Sequence, residues 1–440
     1  KSFRKSLNKN KKKNMLGGGD SYMIPESDCL ELLKKSDDFK HFAEHIEKSL
    51  EVIIPKKIDK TIKFDKNLGS GNFGKVFKGT KGEGDQSETI AFKQIYFKIP
   101  EKLTQETVKK SIEDFKNELQ IHTNLGNHIN IVKLHGYSVE PLTDNDEKNQ
   151  VGSAYFNSKF KELESTLDYE LKKILDWKLI LELCEYGDLL NILRGANDNV
   201  KPTTYGFNFT RQSKEPFEIP IDKIILNIAT GMKYLESVGV YHCDLAARNV
   251  VVAHGANGPI CKISDFGRAV KQIPHKKDMV CTTLKDVCPQ ATRWMPPEAQ
   301  LTPTVYTSKT DIWSFGVLCY EILSKGKHPY NHGTGNKDVI DGLNKDAEFA
   351  KKKLIIPSCL QGCLNKKPDE RPTFKRIIDI LNIPGNKDTI NGTFRDSTQA
   401  VQVSVAPTNP ANPTYPTYLS PSSQQHAIQP TNEQPGSGNT

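Results

Sequence analysis

Apolar positions recur along this chain with two spacings, and the switches between them outline its elements. Between residues 28 and 50 the apolar side chains are Cys29, Leu30, Leu32, Leu33, Phe39, Phe42, Ala43, Ile46 and Leu50. That pattern predicts a helix, closed by Pro55. Residues 62–64, 75–80 and 89–93 read as short strands. A further helix is predicted over 104–125, with Phe115, Leu119 and Ile121 among its apolar positions. Residues 140–175 begin polar and acidic (Asp144 to Glu147) and turn helix-like near 160–175. Residues 195–219 are rich in Asn, Thr, Gly, Lys and Pro. Both stretches look like insertions in an otherwise globular region.

Three parts follow from this pattern. Residues 1–60 form a basic, flexible segment carrying the first helix. Residues 61–384 are globular. Residues 385–440 are expected to be a disordered tail. Within that tail, 400–440 hold seven prolines and a single charged residue, Glu433. Such a segment cannot bury enough apolar surface to offset its ordering entropy.

Charge changes the picture only locally. The chain of 440 residues carries a formal +8. Seven of those charges sit within residues 1–13, at Lys1, Arg4, Lys5, Lys9, Lys11, Lys12 and Lys13, leaving +1 on the other 427. No basic stripe runs through the remainder, so nucleic acid is not an expected partner. The leader is a candidate contact for an anionic membrane surface, at roughly 1 kcal/mol per basic residue near lipid. No uninterrupted apolar run approaches the ~18 residues of a membrane span. The nine cysteines are odd in number and lack zinc-type pairing, which points to a reducing compartment.

The chemistry lies in the globular part. Leu68-Gly-Ser-Gly-Asn-Phe-Gly-Lys-Val76 places Gly69, Gly71 and Gly74 in a G-x-G-x-x-G spacing after a strand. Backbone without Cβ can bring several N–H groups against phosphate oxygens. No helix pattern follows, as a dinucleotide-binding fold would need; 75–80 reads as another strand. Lys93 lies on the next strand beside the small Ala91, and Glu118 on the predicted helix. Val240-Tyr-His-Cys-Asp-Leu-Ala-Ala-Arg-Asn-Val-Val-Val252 sets Asp244 and Asn249 five apart, and Ser264-Asp-Phe-Gly267 follows. Two carboxylates and an amide suit magnesium, which prefers hard oxygen ligands, together with a hydroxyl nucleophile. Arg293-Trp-Met-Pro-Pro-Glu298, Asp311-Ile-Trp-Ser-Phe-Gly316 and Arg371-Pro-Thr-Phe374 come after.

In this order these motifs resemble the eukaryotic protein kinase family over about 320 residues, most closely the cytoplasmic catalytic region of receptor tyrosine kinases. The resemblance implies an α+β, two-lobed kinase fold: a small β-rich lobe, a larger helical lobe and ATP between them. It implies that Gly69, Gly71 and Gly74 cover the phosphates and that Lys93, held by Glu118, binds two of them. Asp244 is then the residue that accepts or orients the substrate hydroxyl, and Asn249 and Asp265 hold Mg. Leu68, Val76, Ala91 and Val251 sandwich adenine. In Leu179-Ile-Leu-Glu-Leu-Cys-Glu-Tyr-Gly-Asp188, Leu181 is the gatekeeper, Glu182 and Cys184 offer backbone bonds to adenine, and Asp188 reaches the ribose. Glu298 and Arg371 resemble a structural ion pair of the large lobe.

Asp-Leu-Ala-Ala-Arg-Asn looks like the tyrosine kinase form of the catalytic loop: Ala246 stands where serine/threonine kinases usually have lysine, and the cation is Arg248. The segment at 195–219 resembles a short receptor-type kinase insert. Departures are Ala291 where receptor kinases usually have proline, and Cys243 where arginine normally precedes the catalytic Asp. His122 stands where an apolar residue is usual, and a hydrogen-bonded core histidine accounts for it. Between Asp265 and Glu298 there is no tyrosine or serine, only Thr282, Thr283 and Thr292. Activity is therefore expected not to depend on tyrosine phosphorylation there. The expected activity is ATP-dependent phosphorylation of protein tyrosine; a pseudokinase scaffold and a serine/threonine or dual-specificity kinase remain as alternatives. Lys93, Asp244, Asn249 and Asp265 are all present, which favours turnover. Tyr415 (in Asn412-Pro-Thr-Tyr415), Tyr418 and Tyr22 are expected docking points for phosphotyrosine-binding adaptors. A leader beside a receptor-like catalytic region places the chain at the inner face of the plasma membrane.

Overall fold

A computed structural model describes residues 62–71, 74–82, 87–95, 105–138, 177–211, 214–272, 279–281, 292–300, 304–330 and 334–402. The helices expected at 28–50 and 160–175, the basic leader, and Tyr22, Tyr415 and Tyr418 lie outside the described residues. Two units divide the chain, Lys1–Gln399 and Ala400–Thr440. Of the second, only residues 400–402 are described.

The first lobe is an antiparallel sheet with one helix. Its strands are β1 (Ile62–Gly71), β2 (Gly74–Lys81), β3 (Glu88–Ile95), β4 (Leu134–Ser138) and β5 (Lys178–Glu182). They lie in the order β1-β2-β3-β5-β4. The β1–β2 register slips between Phe64 and Lys66 and again between Asn67 and Gly69. Bulges of this kind increase twist and re-aim side chains. Alternate residues of the sheet, Phe77, Ile90, Phe92 and Ile180, bury one face around Ile62. Gly79 is glycine for packing: a Cβ there would lie 2.6 Å from the Lys63 carbonyl oxygen and 2.8 Å from the Phe92 ring. The helix α1 (Gln105–Leu125) buries Phe115, Glu118, Leu119, His122 and Leu125, a helical face that includes one carboxylate.

The second lobe is mainly helical: α2 (Leu189–Leu193), α3 (Ile221–Ser237), α4 (Ser308–Leu323), α5 (Asn336–Lys345), α6 (Phe349–Lys353), α7 (Ser358–Gln361), α8 (Phe374–Leu381) and α9 (Pro384–Gln402). α4 is buried nearly all round, from Thr310 to Leu323, so it forms the lobe's central rod. Thr307 and Thr310 cap its first turn reciprocally. Among the described residues no helix is long and apolar enough to cross a membrane.

Two expectations need correction. The segment 195–219, read as a polar insertion, contains a three-stranded antiparallel sheet of β6 (Val200–Pro202), β7 (Gly206–Arg211) and β8 (Lys214–Pro220). Phe207, Phe209 and Ile219 alternate onto the core face, and Phe209 packs edge-on against Tyr186 at 4.9 Å. Polar composition on the other face hid that period. Residues from 385 were also expected to be disordered, yet α9 runs to Gln402. Ile390 and Phe394, four apart on one face, are fully buried, and Phe394 meets Phe207 at 5.7 Å. Two apolar anchors and that receiving sheet are enough to dock a helix that is otherwise polar.

Candidate active site

The first cluster is ionic and spans both lobes. Register places Val76 opposite Lys93 and Ala91 opposite Leu181, so strands β2, β3 and β5 carry these expected site residues side by side. Lys93 Nζ lies 2.7 Å from Glu118 Oε1 on α1 and 2.7 Å from Asp265 Oδ1 in the large lobe. Burial alone would lower the Lys93 pKa, but the Asp265 and Glu118 carboxylates outweigh it and hold it above its ordinary value. Burial likewise works against ionised Asp265, and the Lys93 ammonium overrides it, so that carboxyl falls below its usual range. Asp265 sits at φ 62°, a strained conformation for a non-glycine residue. The turn is locked by the adjacent Phe266, fully buried against the rings of His122 and His242. His122 donates from Nε2 to the Val132 carbonyl at 2.7 Å, and burial lowers its pKa to about 4. It is the hydrogen-bonded core histidine expected.

The second cluster is the loop after β9 (Val240–Tyr241). Arg248 Nη2 meets Asp244 Oδ1 at 2.5 Å. Asn249 Nδ2 donates to the Asp244 carbonyl at 2.7 Å and to Asp244 Oδ2 at 3.1 Å. The Arg248 guanidinium also stands 4.7 Å over the Trp294 ring. Sequence reasoning gave no role to the groups that hold this loop from below. Asp311 on α4 accepts the backbone N–H groups of His242 (2.7 Å) and Cys243 (3.0 Å). Glu321, ten residues further along the same helix, accepts from the Ala247 N–H (3.0 Å) and the Trp294 indole (2.8 Å). Burial raises the pKa of both carboxyls. Spacing gave only a weak signal: ten residues is about 2.8 helical turns, which leaves the two carboxylates about 80° apart around the helix. Cys243, at φ 62°, is buried, and Arg268 is buried within the electrostatic reach of Asp244 and Cys243.

The remaining expected site residues lie on β1, β2, β3, β5 and the chain that follows it, and β10. Leu68 on β1 is 41% exposed, high for an apolar side chain. Val76 and Val251 are half-buried, and Ala91 is buried. β10 (Val250–Gly255) and β11 (Gly258–Ile263) form a hairpin, and the chain after Leu181 is zipped to it: Tyr186 N–H donates to Val252 O, and Val252 N–H to Gly187 O. This fixes the crossing that holds Glu182 and Cys184. Asp188 bridges to Val251. Its carboxylate caps α2, accepting from Asn191 N at 2.9 Å and from Asn191 Nδ2 at 2.7 Å, so a ribose contact would have to share it.

The glycine hairpin offers a test of fit for a polyphosphate. Gly69 pairs with Val76 and Gly71 with Gly74. A Cβ at Gly69 would meet nothing within 4 Å, so no protein neighbour demands glycine there. Close approach of a ligand would. For a metal, the donors fit a hard cation. Lys93 engages Asp265 Oδ1, leaving Oδ2, and the Asn249 amide nitrogen is committed, leaving its oxygen. Among the described residues no group of three His, Cys, Asp or Glu could hold an ion alone, so oxygens from a phosphate ligand or water must complete the shell.

Comparison with known proteins agrees with this geometry. The profile of the protein tyrosine and serine/threonine kinase family matches residues 62–146 and 169–381. The chain belongs to that family. It is 30% identical over 327 residues to fibroblast growth factor receptor 1 of Dugesia japonica, covering 72% of this chain and 31% of that protein. It is 28% identical over 368 residues to platelet-derived growth factor receptor alpha of Xenopus laevis, covering 71% and 32%. It is 29% identical over 347 residues to macrophage colony-stimulating factor 1 receptor of Mus musculus, covering 73% and 34%. The resemblance to receptor tyrosine kinases is thus borne out, and the chain spans about a third of the length of these curated relatives.

Proposed function

We propose that this chain is an ATP-dependent protein tyrosine kinase and the catalytic part of a receptor-type signalling protein. One observation carries the reading: Lys93 joins Glu118 and Asp265 at 2.7 Å each, next to a loop that presents Asp244 paired with Arg248. One ammonium shared by two carboxylates leaves this triad richer in carboxylate than in cation, which suits a divalent cation. Asn249 and Asp265 would hold Mg, which when bound neutralises phosphate charge. Lys93 would hold the α- and β-phosphates, and Gly69, Gly71 and Gly74 would cover them. Leu68, Val76, Ala91 and Val251 would enclose adenine below the Leu181 gatekeeper, with backbone bonds at Glu182 and Cys184. Asp188 would meet the ribose.

Asp244 orients the substrate hydroxyl and accepts its proton as the oxygen bonds to the γ-phosphorus. The bond to the β–γ bridging oxygen breaks, and ADP leaves. Arg248 keeps the Asp244 carboxylate aimed and supplies the cation near the acceptor. Its place four residues after Asp244, with Ala246 between, leaves room for an aromatic acceptor. Radiolabelled phosphate transfer to a Tyr-containing copolymer tests the reading, with Asp244→Asn as control and phosphoamino-acid analysis of the product. Equal signal from both proteins would favour a scaffold, and labelled serine or threonine would replace the tyrosine assignment.

The relatives are receptors by name, which supports a place at the inner face of the plasma membrane. Residues 1–13 would then contact anionic lipid, and Tyr22, Tyr415 and Tyr418 would dock phosphotyrosine-binding adaptors. Mass spectrometry after autophosphorylation tests the tyrosines; no phosphate on any of them removes the adaptor reading.

A further inference from the structure

Arg268 follows Asp265 by three residues and is 6% exposed. Among the described residues its Nε and Nη2 have no hydrogen-bond partner. The contact pair with Asp244 is made by Arg248 instead. A buried guanidinium is costly unless its donors are met or its charge is balanced, so an orphaned one calls for a reason.

Strand pairing sets its place. β12 (Val270–Lys271) runs antiparallel to β9, with Val270 facing Tyr241 and Lys271 facing Val240. Gln272 N–H donates to Gly239 O at 2.8 Å, so the same register holds one step further. Continued two residues the other way, it sets Arg268 opposite Cys243, the neighbour of Asp244. Directly opposed side chains of an antiparallel pair share one face, with Cβ atoms about 4.5–5.5 Å apart. That face is apolar: Val270 packs on a buried cluster of Tyr241, Cys243, Met295, Ala299 and Tyr306. Apolar walls strengthen the field of a charge laid against them. Burial by itself would lower the Arg268 pKa, and the Asp244 carboxylate leads the charges that outweigh it and hold it above its ordinary value.

Asp244 therefore works beside two arginines of different kinds. Arg248 touches it, but that side chain is 30% exposed. Arg268 is buried, and strand pairing fixes its backbone. An exposed cation is screened by salt and can follow the acceptor, whereas a buried one is screened much less and stays in place. Position 243, directly before Asp244, carries a cysteine and so adds no charge of its own. We propose that Arg268 is a positioning residue for phosphate transfer: from the strand facing Cys243 it supplies the buried positive charge that the catalytic loop lacks at that position, and it keeps Asp244 aimed without modification of the chain. The proposal rests on the protein tyrosine kinase reading above.

The test compares Arg268→Lys, Arg268→Gln and the double variant Cys243→Arg/Arg268→Gln with wild type in steady-state transfer to the Tyr-containing copolymer. Arg268→Gln should lower kcat about tenfold and leave KM for ATP and copolymer within about twofold, since the charge acts on Asp244 and not on binding. Arg268→Lys should keep at least about half of kcat, and the double variant should return to within about threefold of wild type, because the cation is moved across the strand pair and not removed. Lys271→Gln, an exposed neighbour on the same strand, should change neither constant. Arg268→Gln as fast as wild type, or Arg268→Lys as slow as Arg268→Gln, overturns the proposal. So does a folded double variant that recovers nothing; where its circular-dichroism melt shows it unfolded, the difference between Lys and Gln decides. Hydrogen exchange of the amides of residues 240–249 reads the loop without turnover. Faster exchange in Arg268→Gln than in Arg268→Lys supports the proposal even if no phosphate is transferred, and equal exchange sinks it. A wild type that transfers no phosphate at all counts against the kinase reading and leaves the exchange comparison to decide the role of Arg268.

Discussion

The small lobe and the large lobe each contain a buried ion pair, and the two are completed differently. Arg371 is 1% exposed and saturated by protein: it pairs with Glu298 at 2.5 and 3.0 Å and donates to the carbonyls of Lys309, Asn365 and Lys366. Its guanidinium also lies 5.0 Å over Trp313. Lys93 is nearly as buried, but it is shared by two carboxylates contributed from different lobes. A fully satisfied cation is a staple. A cation balanced by more negative charge than its own can exchange partners when a cation and phosphates arrive. The same residue chemistry therefore staples one lobe and, in the proposed function, would serve ligand binding between the two.

Four measurements test that contrast. Lys93→Met should reduce phosphate transfer by about 10²–10⁴, the scale of losing a positioned catalytic group, while its unfolding free energy moves less than that of Arg371→Met. A circular-dichroism melt beside a kinetic assay measures both, and a larger stability loss for Lys93 would reverse the assignment. Arg371→Met should cost about 3–5 kcal/mol in denaturant unfolding, because Glu298 and three carbonyls lose their partner.

The third outcome concerns pH. His122 has a native pKa of about 4 against 6.5 when exposed, so below about pH 6.5 the unfolded chain takes up a proton that the native state refuses. Stability present above 6.5 should fall by roughly 3 kcal/mol between pH 6.5 and 4. In His122→Leu that part of the slope should vanish, although the Val132 carbonyl loses its donor. An unchanged slope in urea titrations at several pH values would remove His122 as the cause. The smallest effect is expected from phosphatase treatment: less than about a twofold change in activity, since the stretch from Asp265 to Glu298 contains no tyrosine or serine.

What could be read in advance differs between the two regions. Each partner of the Lys93 cluster stands in a recognisable local pattern, so glycine spacing, strand period and the Asp244–Asn249 interval pointed to the cleft. Asp311 and Glu321 were not legible as loop supports. A carboxylate on a buried helix is read as a packing exception until the backbone N–H groups it accepts are known. The sheet at 200–220 and the docking of α9 were missed for a related reason. Their apolar positions are few, and whether four or five such residues order a segment depends on the surface that receives them.

From residue order alone the protein kinase family and the two-lobed α+β plan could be read, and Lys93, Glu118 and Asp265 could be expected to act together. Backbone-level requirements such as glycine spacing and strand alternation are local, and local constraints survive in a linear pattern. Which charges share a partner was settled by folding. It brought Lys93 within 2.7 Å of an aspartate 172 positions away and set Trp294 between Arg248 and His328. Charge balance in a fold is a property of distances, and distances between remote residues are fixed only when the lobes have packed.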